Sequence, residues 1–172
     1  MTIKRLDPSH VNEYRKLMLE AFELHPDAFI SGHAERAALP LSAWEVRLKQ
    51  DREPHELVLG AFHDGELAGV VALSFEPREK ARHKARLVGM YVRAAFRRHG
   101  LGRDLVQAAL AHARSRAGVR LVQLMVTHGN HAARTLYEQC GFVEYGLEPF
   151  AVAVGDGYVS KVHMWCDLAS KP

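Results

Sequence analysis

Two cysteines, Cys140 and Cys166, are the whole thiol complement of this 172-residue chain, and they form no Cys-x-x-Cys pair. That argues against a structural zinc site or a disulfide framework. Both read as small buried hydrophobes in a reducing compartment. A long apolar run is also missing. The most apolar stretch, Leu67 to Phe75, falls far short of the ~20 residues that span a bilayer. The first ten residues, MTIKRLDPSH, put charge where a secretory leader carries its apolar segment. A cytoplasmic protein with no membrane partner is expected. Charge of one sign is scarce: 23 Lys and Arg against 20 Asp and Glu leave +3. This is too little to imply nucleic acid, yet it is compatible with a small anionic ligand. The eleven histidines make no His-x-His or His-Glu-x-x-His arrangement, so no metal is expected.

What is there describes one globular unit. Hydrophobic residues make up 48% and charged residues 25%, enough for a real core in a single domain over 1–172. Asp7 with Pro8 behind it is a helix start, and Val11, Tyr14, Leu17, Met18, Ala21 and Phe22 recur at helical spacing to about Leu24. Residues 25–40, with Pro26, Gly32 and Pro40, read as a loop, and Ser42 as the cap of a second helix. From Glu56 the period changes. Residues 56–63 and 66–75 flank Asp64-Gly65, a strong hairpin signal. Strands follow at 86–93 and 119–127, helices at 100–116 and 131–140, and a last hairpin folds around Gly155-Asp156-Gly157. The run from Arg78 to Arg86 reads as a solvated connection that discourages edge pairing. The expected class is α/β in the α+β sense: a mixed, mostly antiparallel sheet with helices on both faces.

The informative segment lies between the strand 86–93 and the next helix: Arg97-Arg98-His99-Gly100-Leu101-Gly102, then Arg103. Glycine lets backbone approach a ligand closely. The first amides of a helix lack internal partners and carry the positive end of its dipole, so this turn can hold a phosphate.

These residues resemble the signature of the GNAT superfamily of N-acetyltransferases, Arg/Gln-x-x-Gly-x-Gly/Ala, with Arg97, Gly100 and Gly102 at its defined positions. A second stretch, GNHAARTLYEQCGF at 129–142, resembles the family's Asn-x-x-Ala-x-x-Leu-Tyr-x-x-x-Gly-Phe through Asn130, Ala133, Leu136, Tyr137, Gly141 and Phe142. The resemblance implies a GNAT-like fold in which acetyl-CoA, as co-substrate, binds between splayed strands around 86–93 and 119–127. It implies that the amides of Met90, Tyr91 and Val92 hold the pantetheine arm and the thioester oxygen. The amides of 98–103 would hold the pyrophosphate, with Asn130 and Tyr137 facing the coenzyme. Ala132, Leu136 and Cys140 are expected to pack inward. Tyr137 would act as general acid, giving the departing thiol its proton.

The base is less defined. Leu124-Met125-Val126 stands where members that acetylate protein N-termini often carry Leu-Glu-Val. Glu35, Glu76, His128, His163 or a water chain remain as candidates. Met90 and Met125 read as core residues. The expected activity is acetyl transfer to a primary amine, with the acceptor arriving past residues 25–40 and 145–160, and a second copy of the chain as a possible homodimer partner. A non-catalytic acyl-CoA-binding module is the alternative. A nucleotide-binding α/β protein would need Gly-x-Gly-x-x-Gly after the strand, and the run after Val92 does not supply it.

Overall fold

The computed structural model describes residues 1–169. Its frame is the hairpin of β2 (Glu56–His63) and β3 (Glu66–Phe75). These two strands are buried along most of their length, as strands between two helical layers must be. Asp64 and Gly65 turn the chain at φ 49° and 84°, the left-handed pair that an Asp-Gly hairpin supplies. Around them lie β1 (Thr2–Arg5), β4 (Lys84–Val92), β5 (Leu121–Thr127), β6 (Val143–Val154) and β7 (Gly157–Asp167). The sheet order is β1-β2-β3-β4-β5-β7-β6. Every pairing is antiparallel except β4 with β5, so the expected mixed, mostly antiparallel sheet is what forms.

Both faces are covered. On one, α4 (Leu101–Ser115) lays Leu101, Leu105, Val106, Ala109 and Leu110 over Leu59, Val71 and Leu73. On the other, α1 (Val11–Leu24) buries Tyr14, Leu17, Met18 and Phe22 with Trp44 and Leu48, against Val58, Val70 and Ala72. Each helix supplies one apolar stripe at its own period, and each stripe meets a different face. Among the described residues, no helix is long and apolar enough to cross a membrane.

Several expected boundaries move. Asp7 caps a 3-10 turn, Pro8–His10, and α1 follows it. The region expected as loop contains α2 (His33–Ala37), and α3 (Leu41–Glu45) starts after Pro40 with no side-chain cap. Ser42 lies inside α3 and does not cap it.

The irregularity that matters is in β4. Val70 pairs with Tyr91, but Ala72 pairs with Val88, so Gly89 and Met90 bulge from the ladder. Gly89 takes φ +59° there. A Cβ at Gly89 would meet nothing closer than Met18 Cε at 3.9 Å. Gly89→Ala should therefore lose roughly 1–2 kcal/mol through left-handed backbone alone. Gly32→Ala is the control, with φ −86° and no atom within 4 Å of the new Cβ, and should stay within about 0.5 kcal/mol of wild type. Urea midpoints of the two variants check this, and equal midpoints would show that the bulge relaxes freely.

Candidate active site

β4 and β5 share only three registered pairs: Lys84 with Leu121, Ala85 with Val122 and Arg86 with Gln123. Past Arg86 they part. β4 keeps β3 as neighbour, and β5 keeps β7 as far as Thr127. From Leu87 to Val92 the β5-facing edge of β4 thus offers backbone groups without a ladder partner. The bulge at Gly89 and Met90 falls within this open stretch.

The side chains at 90–92 are committed elsewhere, so the backbone is what this stretch can present. Met90 packs against the core under α4. The Tyr91 hydroxyl donates to Glu20 Oε1 at 2.9 Å, and Arg93 Nε donates to Glu20 Oε2 at 3.1 Å. Val92 sits in the same core as Met90.

The glycine turn follows. Arg98 and Gly100 take φ 66° and 78°, and no side chain caps the start of α4. Its leading amides have neither an intrahelical nor a side-chain acceptor. Arg98, His99 and Arg103 are exposed, while the Leu101 side chain belongs to the core. Arg97 has a job inside the protein: Nε donates to the Val92 carbonyl at 2.8 Å, and Nη2 lies 3.1 Å from His25 Nε2. It braces the end of β4 against the end of α1. Gly102 is a point of contact, since a Cβ would lie 3.2 Å from Leu136 Cδ2 and 3.4 Å from Met90 Cε.

The second motif forms α5 (His131–Gln139), which ends at Gly141 with φ 92°. Asn130 Oδ1 caps it, accepting from the Ala133 amide at 3.2 Å. Tyr137 is buried, edge-on to Phe142 with ring centroids 5.9 Å apart. Of the three side chains expected inward, Leu136 and Cys140 pack half-buried against the core and Ala132 is exposed; Ala133 and buried Tyr137 complete the inward face. The Tyr137 hydroxyl has no hydrogen-bond partner among the described residues, and burial pushes its pKa well up.

On the opposite face of the parted strands lies a cavity of about 270 Å³. Met18, Phe22 and Phe29 form its apolar wall; Val88, Gly89 and Met125 line the side of the strands. Met125, expected in the core, is 38% exposed at this cavity. The polar lining comes from Arg36, Arg86, Gln123, Tyr145, Lys161 and His163. Lys161 is buried, and Nζ donates to the carbonyls of Asp27 and Ala28 at 2.9 and 3.1 Å and to Thr127 Oγ1 at 2.8 Å. Thr127 Oγ1 donates in turn to the Asp27 carbonyl at 2.7 Å. Together they fasten the segment after α1 to the ends of β5 and β7. Desolvation lowers the Lys161 pKa.

The candidate bases separate by position. Glu76 is bound by Arg78 at 2.6 and 2.9 Å, which pulls its pKa down to about 2. Glu35 accepts from the Gly32 amide at 3.4 Å as a cap of α2. His128 is exposed beyond β5. His163 alone of the four lines the cavity, with Nε2 2.7 Å from Glu148 Oε2 and Tyr145 edge-on to its ring.

Gly89, Arg36, Arg86, Gln123, Tyr145 and Lys161 escaped the sequence reading. A glycine inside a strand is a bulge signal, and Gly89 carried it. Arg86 was hidden in a charged run, and nothing in the sequence marks Lys161. Among the described residues no group of three His, Cys, Asp or Glu could hold a metal.

The family model described as the acetyltransferase (GNAT) family matches residues 16–142. An acetyltransferase of the GNAT family from Streptococcus pneumoniae superposes with a TM-score of 0.85 at 25% identity, covering 95% of this chain and 96% of that one. The structure of yncA, a putative acetyltransferase from Salmonella typhimurium with its cofactor acetyl-CoA, superposes at 0.80 with 20% identity, covering 100% and 96%. Mycothiol acetyltransferase of Geodermatophilus obscurus is 49% identical over 49 residues, which are 28% of this chain and 16% of that protein. The chain therefore matches only a small part of that curated relative's length.

The buried phenols carry a pH signature. Burial raises the pKa of Tyr14 and Tyr137, and burial with the Glu20 contact raises that of Tyr91. An unfolded phenol ionises near ~10, so above that pH the fold binds more protons than the unfolded chain. Their contribution is complete below pH ~10 and is lost as pH rises through the folded values. Lys161 acts the opposite way, adding stability as pH climbs from its lowered pKa toward ~10.4. With three phenols, and the thiols of Cys140 and Cys166 that burial also raises, against one amine, the urea midpoint should fall between pH 10 and 11, and Tyr137→Phe should make that fall shallower. An unchanged slope would place the Tyr137 phenol in water.

Proposed function

The chain belongs to the GNAT family of acetyltransferases, and we propose that it moves the acetyl group of acetyl-CoA onto a primary amine by direct attack of the amine on the thioester. The observation that carries this reading is the parting of β4 and β5 after three pairs, with an uncapped glycine turn on one side and a cavity on the other. Acetyl-CoA would supply the activated acetyl group. The amides of Met90, Tyr91 and Val92 hold the pantetheine arm and the thioester oxygen, and one such donor is worth ~3 kcal/mol of barrier. The amides of Arg98, His99, Gly100, Leu101, Gly102 and Arg103 hold the pyrophosphate. In this reading Arg97 contributes by fixing the strand end, and Asn130 by fixing the start of α5.

Tyr137 gives its proton to the departing sulfur. Burial makes the phenol a weaker acid, but the same burial raises the proton affinity of a thiolate beside it. His163, held by Glu148, takes the proton of the incoming ammonium. The amine reaches the thioester through the cavity, past the segments 25–40 and 145–160. The reading keeps the chain as one catalytic domain in the cytoplasm. It also keeps a second copy as partner, supported by the apolar side chains Val143, Tyr145, Leu147 and Phe150 exposed along the edge strand β6.

Acetyl-CoA at about 100 times its Kd should add ~2.7 kcal/mol to stability, a rise of roughly 5–10 °C in Tm for a chain of this length. Thermal melts with and without acetyl-CoA measure it, and the absence of a shift in folded protein would refute coenzyme binding. Thiol release with a mixed amine panel then separates the enzyme from a non-catalytic binding module.

Tyr137→Phe should keep that shift and lower kcat by 10²–10⁴ with little change in KM for acetyl-CoA. Because burial holds the phenol protonated, wild-type kcat should show no falling limb below pH ~10. A variant with wild-type kcat would make Tyr137 a packing residue only.

A further inference from the structure

The cavity on the acceptor side has an unbalanced wall. Arg36, Arg47, Arg86 and Lys161 line it, and among the described residues no aspartate or glutamate does. Arg47 is compensated from behind by Glu56, to which Nε donates at 3.0 Å. Lys161 spends its three donors on two carbonyls and a hydroxyl. Arg36 and Arg86 have no ion-pair partner among the described residues.

Arg36 is the more telling of the two. Its guanidinium lies 4.7 Å over the Trp44 ring, which fixes its plane. Its Nε is buried and has no hydrogen-bond partner among the described residues. A buried donor left without an acceptor is costly, and desolvation, with repulsion from the Arg47 guanidinium, lowers the Arg36 pKa. A site that binds only an amine would do better with carboxylates on this wall, because the amine arrives as a cation. Cations here repel a simple polyamine or alkylammonium. They suit an acceptor that brings its own negative charge, and a planar guanidinium fork matches a carboxylate in particular.

We propose that the acceptor is a small amino acid-like molecule, whose amine faces the parted strands, whose carboxylate or other oxyanion is received by Arg36 and Arg86, and whose apolar part rests on Met18, Phe22 and Phe29. The volume of about 270 Å³ lies just below the range of drug-sized sites, which suits a molecule of that size. This inference rests on the acetyltransferase reading above.

The test is thiol release at saturating acetyl-CoA with matched acceptors: L-leucine against L-leucinamide, L-phenylalanine against 2-phenylethylamine, and the phosphonate analogue of leucine as a third arm. The carboxylate member should win by at least tenfold in kcat/KM. For leucine this runs against intrinsic reactivity, because the amide's amine is less basic and more of it is neutral. Turnover of the phosphonate would widen the anion class, and its rejection would narrow the class to carboxylates. Arg36→Gln should pull the leucine to leucinamide ratio toward one and leave KM for acetyl-CoA alone. Arg86→Gln repeats the test in case Arg36→Gln lowers Tm. Preference for the members that lack an anionic group, turnover of no amino acid, or an unchanged ratio in both variants would overturn the inference. The acetyl-CoA melt, run on the same preparations, keeps the two claims apart: a shift retained with only the amines that lack an anionic group turned over sinks the acceptor class alone, whereas loss of the shift sinks the acetyltransferase reading beneath it.

Discussion

Three residue pairs hold the two halves of this sheet together. Lys84–Arg86 meets Leu121–Gln123, and beyond that the strands carry unpaired backbone into the middle of the protein. Unpaired buried amides cost about 1–3 kcal/mol each, so this arrangement persists because the layers around it are strong. α4 covers one face of both halves, and α1 with Trp44 covers the other side of β2, β3 and β4. Placing the site where the ladder fails gives it polar groups that no other element of the fold requires.

The two faces of the parted strands differ in character. Toward α4 and α5 the accessible chemistry is backbone: an open strand edge, a turn with left-handed Arg98 and Gly100, and a helix start with no cap. Toward the loop after α1 it is side chain: guanidinium, imidazole and apolar surface. Backbone recognises the repeating features of a coenzyme whatever its surroundings, whereas side chains can be exchanged one by one. A scaffold divided in this way can keep its backbone face while its side-chain face changes.

Much of the fold was legible because its signals are local. Asp64-Gly65 turns a hairpin, the stripe from Val11 to Phe22 has helical period, and Gly100 and Gly141 mark the start of one helix and the end of another. The glycine turn and the capped start of α5 were legible for the same reason, since their motif residues are adjacent in the chain. The acceptor side was not. Arg86 looks like any member of a basic run until its register opposite Gln123 is known. Lys161 is one lysine in a strand, and only the path of residues 27 and 28, beside Thr127, gives it three acceptors. On α5 the inward side is Ala133, Leu136, Tyr137 and Cys140 rather than one that includes Ala132, because a nine-residue helix fixes its rotation through packing, here of Tyr137 on Phe142.

The segment that follows α1 connects parts that would otherwise move independently. Its root is α1, which packs on β3 and β4, with His25 beside Arg97. Its far end, at Asp27 and Ala28, is fastened to Thr127 of β5 and Lys161 of β7. A few residues of chain therefore tether one half of the sheet to the other directly across the gap. Anything that wedges the strands further apart on the coenzyme side must pull this tether taut, and the cavity beneath it changes shape at the same moment. Mechanically the protein is a clasp: the width of the cleft on one face and the depth of the pocket on the other are one coordinate.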